Sequence, residues 1–136
     1  MRILCCGDRN WSNMQRIREI LRGYCNEEMR LIVHGGCRGA DQMCGIVATE
    51  LGIQSICYEA NWVAYGDAAG PIRNQLMLDV TSPDIVIAFH NDLTHSRGTR
   101  DMIRRSEKYF DKRGYGIILT VSDDLVVYRL SKTTFR

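Results

Sequence analysis

Leu31-Ile-Val-His-Gly-Gly-Cys-Arg-Gly-Ala-Asp41 runs a short strand, Leu31 to His34, into a glycine-rich break and out into a helix. The helix is striped by Ala40, Met43, Cys44, Val47, Ala48 and Leu51, at the spacing of one buried face. Gly52 ends it and Ile53 to Tyr58 forms the next strand, so the unit reads strand, helix, strand. Outward from it the same alternation recurs. Arg2 to Cys6 is a first strand, followed by a helix with Met14, Ile17, Ile20, Leu21 and Tyr24 inward and a capping box from Ser12 to Gln15. A connection from Glu59 to Gly70 leads to a third helix with Pro71 at its first position. Asp84 to Phe89 is a buried strand, Gly98 to Lys112 a fourth helix, Tyr115 to Val121 a fifth strand and Leu125 to Leu130 a returning antiparallel edge. Apolar strands without strict alternation, separated by helices, predict a three-layer α/β sandwich of Rossmann-like type: a mostly parallel five-stranded sheet plus a C-terminal edge strand.

The 136 residues predict a single domain over 1–130 and a polar, frayed tail over 131–136. Apolar residues make up 45% and no run is long and uncharged enough to span a membrane, so the expectation is a cytoplasmic protein with no membrane partner. A net charge of +2 does not favour nucleic acid as the partner, although single-stranded nucleic acid stays among the alternatives. Fifteen of the eighteen basic residues are Arg, whose planar fork suits phosphate and carboxylate, so their positions matter more than their sum. The six Cys show neither Cys-x-x-Cys nor paired His spacing. They read as small buried hydrophobes, with Cys37 beside Arg38 as the one candidate reactive thiol, and no metal is expected.

Three breaks stand at helix starts: Gly35-Gly36-Cys37-Arg38-Gly39-Ala40-Asp41, Gly70-Pro71-Ile72-Arg73-Asn74 and Ser96-Arg97-Gly98-Thr99-Arg100-Asp101. A helix N-terminus offers unpaired N–H groups and a partial positive charge, and glycine lets an anion approach them. Together with Gly7, Asp8, Arg9, Asn10 and Trp11 after the first strand, they predict one pocket at the carboxyl ends of the strands for a nucleotide-derived ligand. The loops lack the Gly-Lys-Ser/Thr of a phosphate-binding NTPase, and the dinucleotide glycine pattern is absent, so no resident cofactor is expected. The plain alternatives are a strand-to-helix turn that needs glycine for packing, and an Asp41 that serves only as a helix-start charge. Arg73, read in the first turn of its helix, opposes the helix dipole. Either a bound anion or a salt bridge to Asp8, Asp41 or Asp67 answers it; on the first account Arg73→Ala abolishes binding and spares the fold. Arg104 and Arg105 read as a solvated face.

Gly7-Asp8-Arg9, His34 to Asp41, Asn61-Trp62, Ala69-Gly-Pro-Ile-Arg-Asn-Gln75, Ala88-Phe89 and Arg97-Gly-Thr-Arg-Asp-Met102 keep their order and approximate spacing over residues 1 to about 122. The series resembles the YspA-like branch of the SLOG superfamily, which also holds the DNA-processing protein and the lysine-decarboxylase-like phosphoribohydrolases. That resemblance implies a Rossmann-like fold, a site for nucleotides or nucleotide-derived ligands in a sensor or sequestering role, and a homo-oligomer. It also implies an alternative, cleavage of the N-glycosidic bond of a nucleoside monophosphate. The cleaving members carry Gly-Gly-x-Gly-Thr-x-x-Glu on the fourth loop and an Arg-Lys pair on the preceding helix. Here Ser96-Arg97 replaces the glycine pair, Met102 takes the Glu position and Arg73-Asn74 replaces Arg-Lys. Asp101 is one residue early, a turn of about 100° on a helix. The candidate carboxylates for such a reaction are Asp101, Asp41, Asp8 and Glu59.

Overall fold

In a computed structural model, which describes residues 1–24 and 31–130, six strands form one sheet in the order β3-β2-β1-β4-β5-β6. They are β1 (Arg2–Gly7), β2 (Leu31–His34), β3 (Ser55–Cys57), β4 (Ile85–Phe89), β5 (Ile117–Val121) and β6 (Val126–Leu130). The first five are parallel and β6 pairs antiparallel with β5. The helices are α1 (Met14–Tyr24), α2 (Ala40–Glu50), α3 (Trp62–Tyr65), α4 (Ala69–Thr81) and α5 (Arg97–Arg113).

Alternate residues of the central strands serve opposite faces, as a period of two requires. Ile3 and Cys5 of β1, with Ile85, Ile87 and Phe89 of β4, bury against Ile17 and Leu21 of α1 and Cys44, Val47 and Ala48 of α2. Leu4 and Cys6, with Val86 and Ala88, bury against Met77 and Leu78 of α4 and Met102, Ile103 and Phe110 of α5. Each parallel strand is apolar on both faces because helices cover both. The result is the three-layer Rossmann-like sandwich that the alternation predicts. No helix among the described residues is long and apolar enough to cross a membrane.

Several boundaries differ from the sequence reading for local reasons. Asn13, not Ser12, caps α1, its Oδ1 accepting the Arg16 N–H at 3.0 Å. β3 is shorter because the Ile53 N–H returns to the Ala48 carbonyl at the end of α2 and so belongs to the Gly52 turn. β3 also lies at the sheet edge, which leaves Cys57 exposed rather than buried. β5 begins at Ile117 because Tyr115 lies in the turn after α5, under the Arg113 guanidinium at 4.0 Å. The Glu59–Gly70 connection is not a plain loop: it holds α3, capped by Asn61, and a 3-10 turn over Gly66–Ala68 that runs into α4. The expected tail, 131–136, and Cys25 lie outside the described residues.

Candidate functional site

The strand order reverses between β1 and β4, and the loops beyond their carboxyl ends part there to leave a cleft of about 780 Å³. Gly7, Asp8, Arg9 and Asn10 line it from the loop after β1, and Ser96, Arg97, Gly98 and Thr99 from the start of α5. Arg73 and Asn74 of α4 close one wall, together with Cys37, Asp41 and Asp101. Trp62, half exposed, stands at the mouth with its ring against Gly70.

Other residues singled out in the sequence lie elsewhere. Trp11 is in the core, its ring 5.7 Å from Phe89 and its Nε1–H donated to the Asn13 carbonyl, so it presents no face to the cleft. Gly35, Gly36, Arg38 and Gly39 do not line the cleft, and Glu59 also stands outside it. Gly39 holds φ at +80°, and a Cβ there would stand 2.5 Å from the Asp8 carbonyl oxygen, because the β2–α2 loop is pressed onto the loop after β1. The Ala40 N–H completes that contact by donating to the same carbonyl at 3.1 Å. The glycine demand here is one of packing.

Asp41 explains the rest of that corner. Its Oδ2 accepts the Gly35 N–H at 3.0 Å, and the Cys37 and Asp41 N–H groups also bond to the carboxylate. The start of α2 is thereby occupied by an anion of the chain itself. Burial pushes the Asp41 pKa up to about 6, against the pull of the Arg73 charge and the three backbone donors.

Arg73 is the fifth residue of α4, not a first-turn residue, because the helix begins at Ala69 and takes Pro71 into its third position. Pro71 fits there since the first four N–H groups of a helix have no partner within it. The buried guanidinium donates Nη1–H to the Gly35 carbonyl at 2.6 Å and to the Tyr58 carbonyl at 3.3 Å, and Nε–H to Asn74 Oδ1 at 3.0 Å. Its Nη2 is 3.8 Å from Cys37 Sγ. Among the described residues no carboxylate pairs with it within 4 Å, so neither salt bridge nor helix dipole accounts for it. It is a strut that ties α4 to the ends of β2 and β3, with one edge turned to the cleft.

Asn74 passes the chain of contacts on, its Nδ2–H donated to Asp101 Oδ2 at 3.0 Å. Asp101 also accepts from Arg105 Nε at 2.9 Å and from Arg104 Nη2 at 3.4 Å. Burial alone would raise its pKa, but these donors outweigh burial and hold it below the ordinary range. This carboxylate, one residue before Met102, is therefore committed to two arginines. Arg105, only a third exposed and also bonded to Gln75, is part of this network rather than a solvated face.

The α5 start is differently provided. Ser96 Oγ accepts the Thr99 N–H at 3.3 Å and the Ser96 carbonyl accepts the Arg100 N–H. The Arg97 and Gly98 N–H groups have no acceptor among the described residues, and a Cβ on Gly98 would meet nothing within 4 Å. Two free donors and the positive end of a 17-residue helix stand at the cleft, which Arg97 lines.

His90 was missed by the sequence reading. It directly follows β4 and lines the cleft, its side chain 5% exposed and its Nε2 3.7 Å from Asp8 Oδ2. The register explains the meeting: Gly7 pairs with Phe89, so the next residues, Asp8 and His90, fall side by side. The signal was present, since both residues come immediately after apolar parallel strands. Cys6 also borders the cleft, and burial, reinforced by the charge of Asp41, pushes its thiol well above the ordinary range.

Comparison with known proteins bears on this site. Gene 61 protein of Mycobacterium phage D29 is 29% identical over 114 residues, which cover 79% of this chain and 89% of that protein. Residues 1–65 match the family model described as YspA, cpYpsA-related SLOG family. That stretch holds β1, β2, α2 and β3, with the loops that carry Asp8 and Asp41. The match over residues 1–65 supports a YspA-like SLOG assignment, which is consistent with nucleotide-related binding or processing.

Proposed function

We propose that the cleft binds a nucleotide-derived ligand with its phosphate on the start of α5, and that the protein holds this ligand, as a sensor or by sequestration, rather than cleaving it. The observation that carries the reading is the pair of free N–H groups at Arg97 and Gly98, both residues that line the cleft. The corresponding start of α2 already holds the Asp41 carboxylate, so the two helices do not compete for the anion. Holding is favoured over hydrolysis by the state of Asp101, whose hydrogen bonds to Asn74, Arg105 and Arg104 leave it poorly placed to accept a proton or stabilise a cationic sugar.

Native mass spectrometry of the purified protein, with titration calorimetry against nucleoside mono- and diphosphates and their cyclic forms, tests this. A bound mass of nucleotide size, recovered intact after denaturation, and a loss of affinity of at least about tenfold in Arg97→Ala are expected. Release of free base from a nucleoside monophosphate would establish the glycosidase alternative. Failure of every nucleotide to bind would overturn the reading.

A further inference from the structure

His90 and Asp8 make a donor and an acceptor that face each other without meeting. His90 Nδ1 accepts the Asp92 N–H at 2.9 Å, and a backbone amide can only donate, so the ring hydrogen sits on Nε2. That Nε2–H has no hydrogen-bond acceptor among the described residues; Asp8 Oδ2, at 3.7 Å, is beyond bonding range. Asp8 is fixed from its other side, where Oδ1 accepts the Asn10 N–H at 2.9 Å. A donor on a side chain more than nine-tenths buried and an acceptor on a pinned side chain thus share a gap on the cleft wall.

We propose that this gap is a hydroxyl clamp, and that the group it takes is a sugar hydroxyl of the ligand. The proposal rests on the reading of the cleft as a nucleotide site. An oxygen about 2.8 Å from both Nε2 and Oδ2 closes a triangle over the 3.7 Å separation, with an angle of roughly 80° at the oxygen. A hydroxyl suits that position because it accepts from Nε2–H and donates to the carboxylate at once. A phosphate oxygen does not, since it has no hydrogen to give and would face the Asp8 charge. A ligand without the hydroxyl leaves both groups unpaired on the cleft wall, which is how polar pockets reject deoxy analogues. The cleft therefore selects ribonucleotides over their dideoxy counterparts, with Asp8 and His90 as the specificity-determining pair. The phosphate is held separately, at the α5 start.

The test compares each of AMP, GMP, CMP and UMP with its 2′,3′-dideoxy counterpart by titration calorimetry, in the wild type and in Asp8→Asn. The variant keeps the Oδ1 that accepts the Asn10 N–H and replaces the acceptor facing His90 by a second donor. The expected result is a preference of at least about tenfold for the ribo form in the wild type, falling to less than about threefold in the variant. Equal affinities for the two forms in the wild type overturn the clamp and leave the phosphate reading standing. A preference that survives Asp8→Asn also overturns it, by placing the selection elsewhere in the cleft. No binding of either form overturns the clamp for nucleoside monophosphates, and the phosphate reading then stands or falls on the diphosphates and cyclic forms named above. The wild-type comparison decides the matter by itself should the variant not fold.

Discussion

The β2–α2 and β4–α5 corners are built to one plan and end in opposite states. In each, a histidine at the strand end accepts a backbone N–H from two residues on: Gly36 to His34 at 3.1 Å, and Asp92 to His90 at 2.9 Å. Each then leads into a helix on which the chain aims a Gly-containing turn. At β2–α2 everything is consumed internally. Asp41 takes the N–H groups at the turn, Gly39 is pressed on the loop after β1, and the His34 ring lies so close under α2 that a Cβ on Gly45 would stand 2.8 Å from Nε2. Burial and the nearby Arg73 charge lower the His34 pKa and keep it neutral. At β4–α5 the helix start has free donors and the ring faces a gap. The difference is one of sheet face: His34 points to the side that α1 and α2 cover, and His90 to the side where α4 and α5 stand apart at the cleft. A strand–turn–helix motif therefore does not identify a ligand site; the site is where the chain does not supply its own anion.

If the closed corner is as fully committed as this, replacing Gly39 should have the largest effect. Gly39→Ala forces an L residue to φ +80° with its Cβ against backbone that cannot rotate away. Left-handed backbone costs roughly 1–2 kcal/mol and overpacking about 1–3 kcal/mol more, so a loss of about 2–5 kcal/mol in urea unfolding is expected. A loss under about 1 kcal/mol would mean that the two loops are not pressed together.

Asp41 gives the next largest effect, and its sign is informative. Its folded pKa of about 6 lies above the ordinary 3.8, so the folded state binds the proton more tightly than the unfolded state. Stability from this group is complete below about pH 4 and is lost as pH rises through 6, by about 3 kcal/mol in all. Chemical unfolding from pH 4 to 7 should show the wild type losing that amount relative to Asp41→Asn, in which the group cannot titrate. A wild type that instead gains on the variant as pH rises would mean that the three N–H donors and Arg73 outweigh burial.

The fold was legible because strand and helix periodicities differ and the apolar stripes are complete. Ile3 and Cys5 against Leu4 and Cys6 already display the two faces of β1. Boundaries failed where a backbone bond decided them, as at Ile53, or where a helix took in a proline, as at Pro71. The site was legible only in part. Asp8, Arg97, Gly98 and Thr99 follow from strand ends and helix starts, but Trp11 looked like a ligand contact and is core. Arg73 was singled out for a conflict with its helix dipole that an earlier helix start removes. His90 was passed over because a single histidine carries no motif; only the pairing of Gly7 with Phe89 brings it beside Asp8. Strand register lies in the sheet, not in either strand read alone.

The smallest expected effect is the sharpest test of the open corner. Gly98 occupies the first turn of α5, with helical backbone and no atom within 4 Å of where a Cβ would stand. Alanine there meets nothing, keeps the N–H and gains some helix propensity over glycine, less than the full 1 kcal/mol because the position is at the helix end. Gly98→Ala should leave stability within about 0.5 kcal/mol of the wild type, where Gly39→Ala costs several. The two substitutions are chemically identical and both fall in Gly-containing breaks at helix starts. A comparable loss at both sites would show that the β4–α5 corner is packed as tightly as the β2–α2 corner, and no anion could then approach the Arg97 and Gly98 N–H groups. A neutral Gly98→Ala leaves that approach open, as the proposed phosphate position requires.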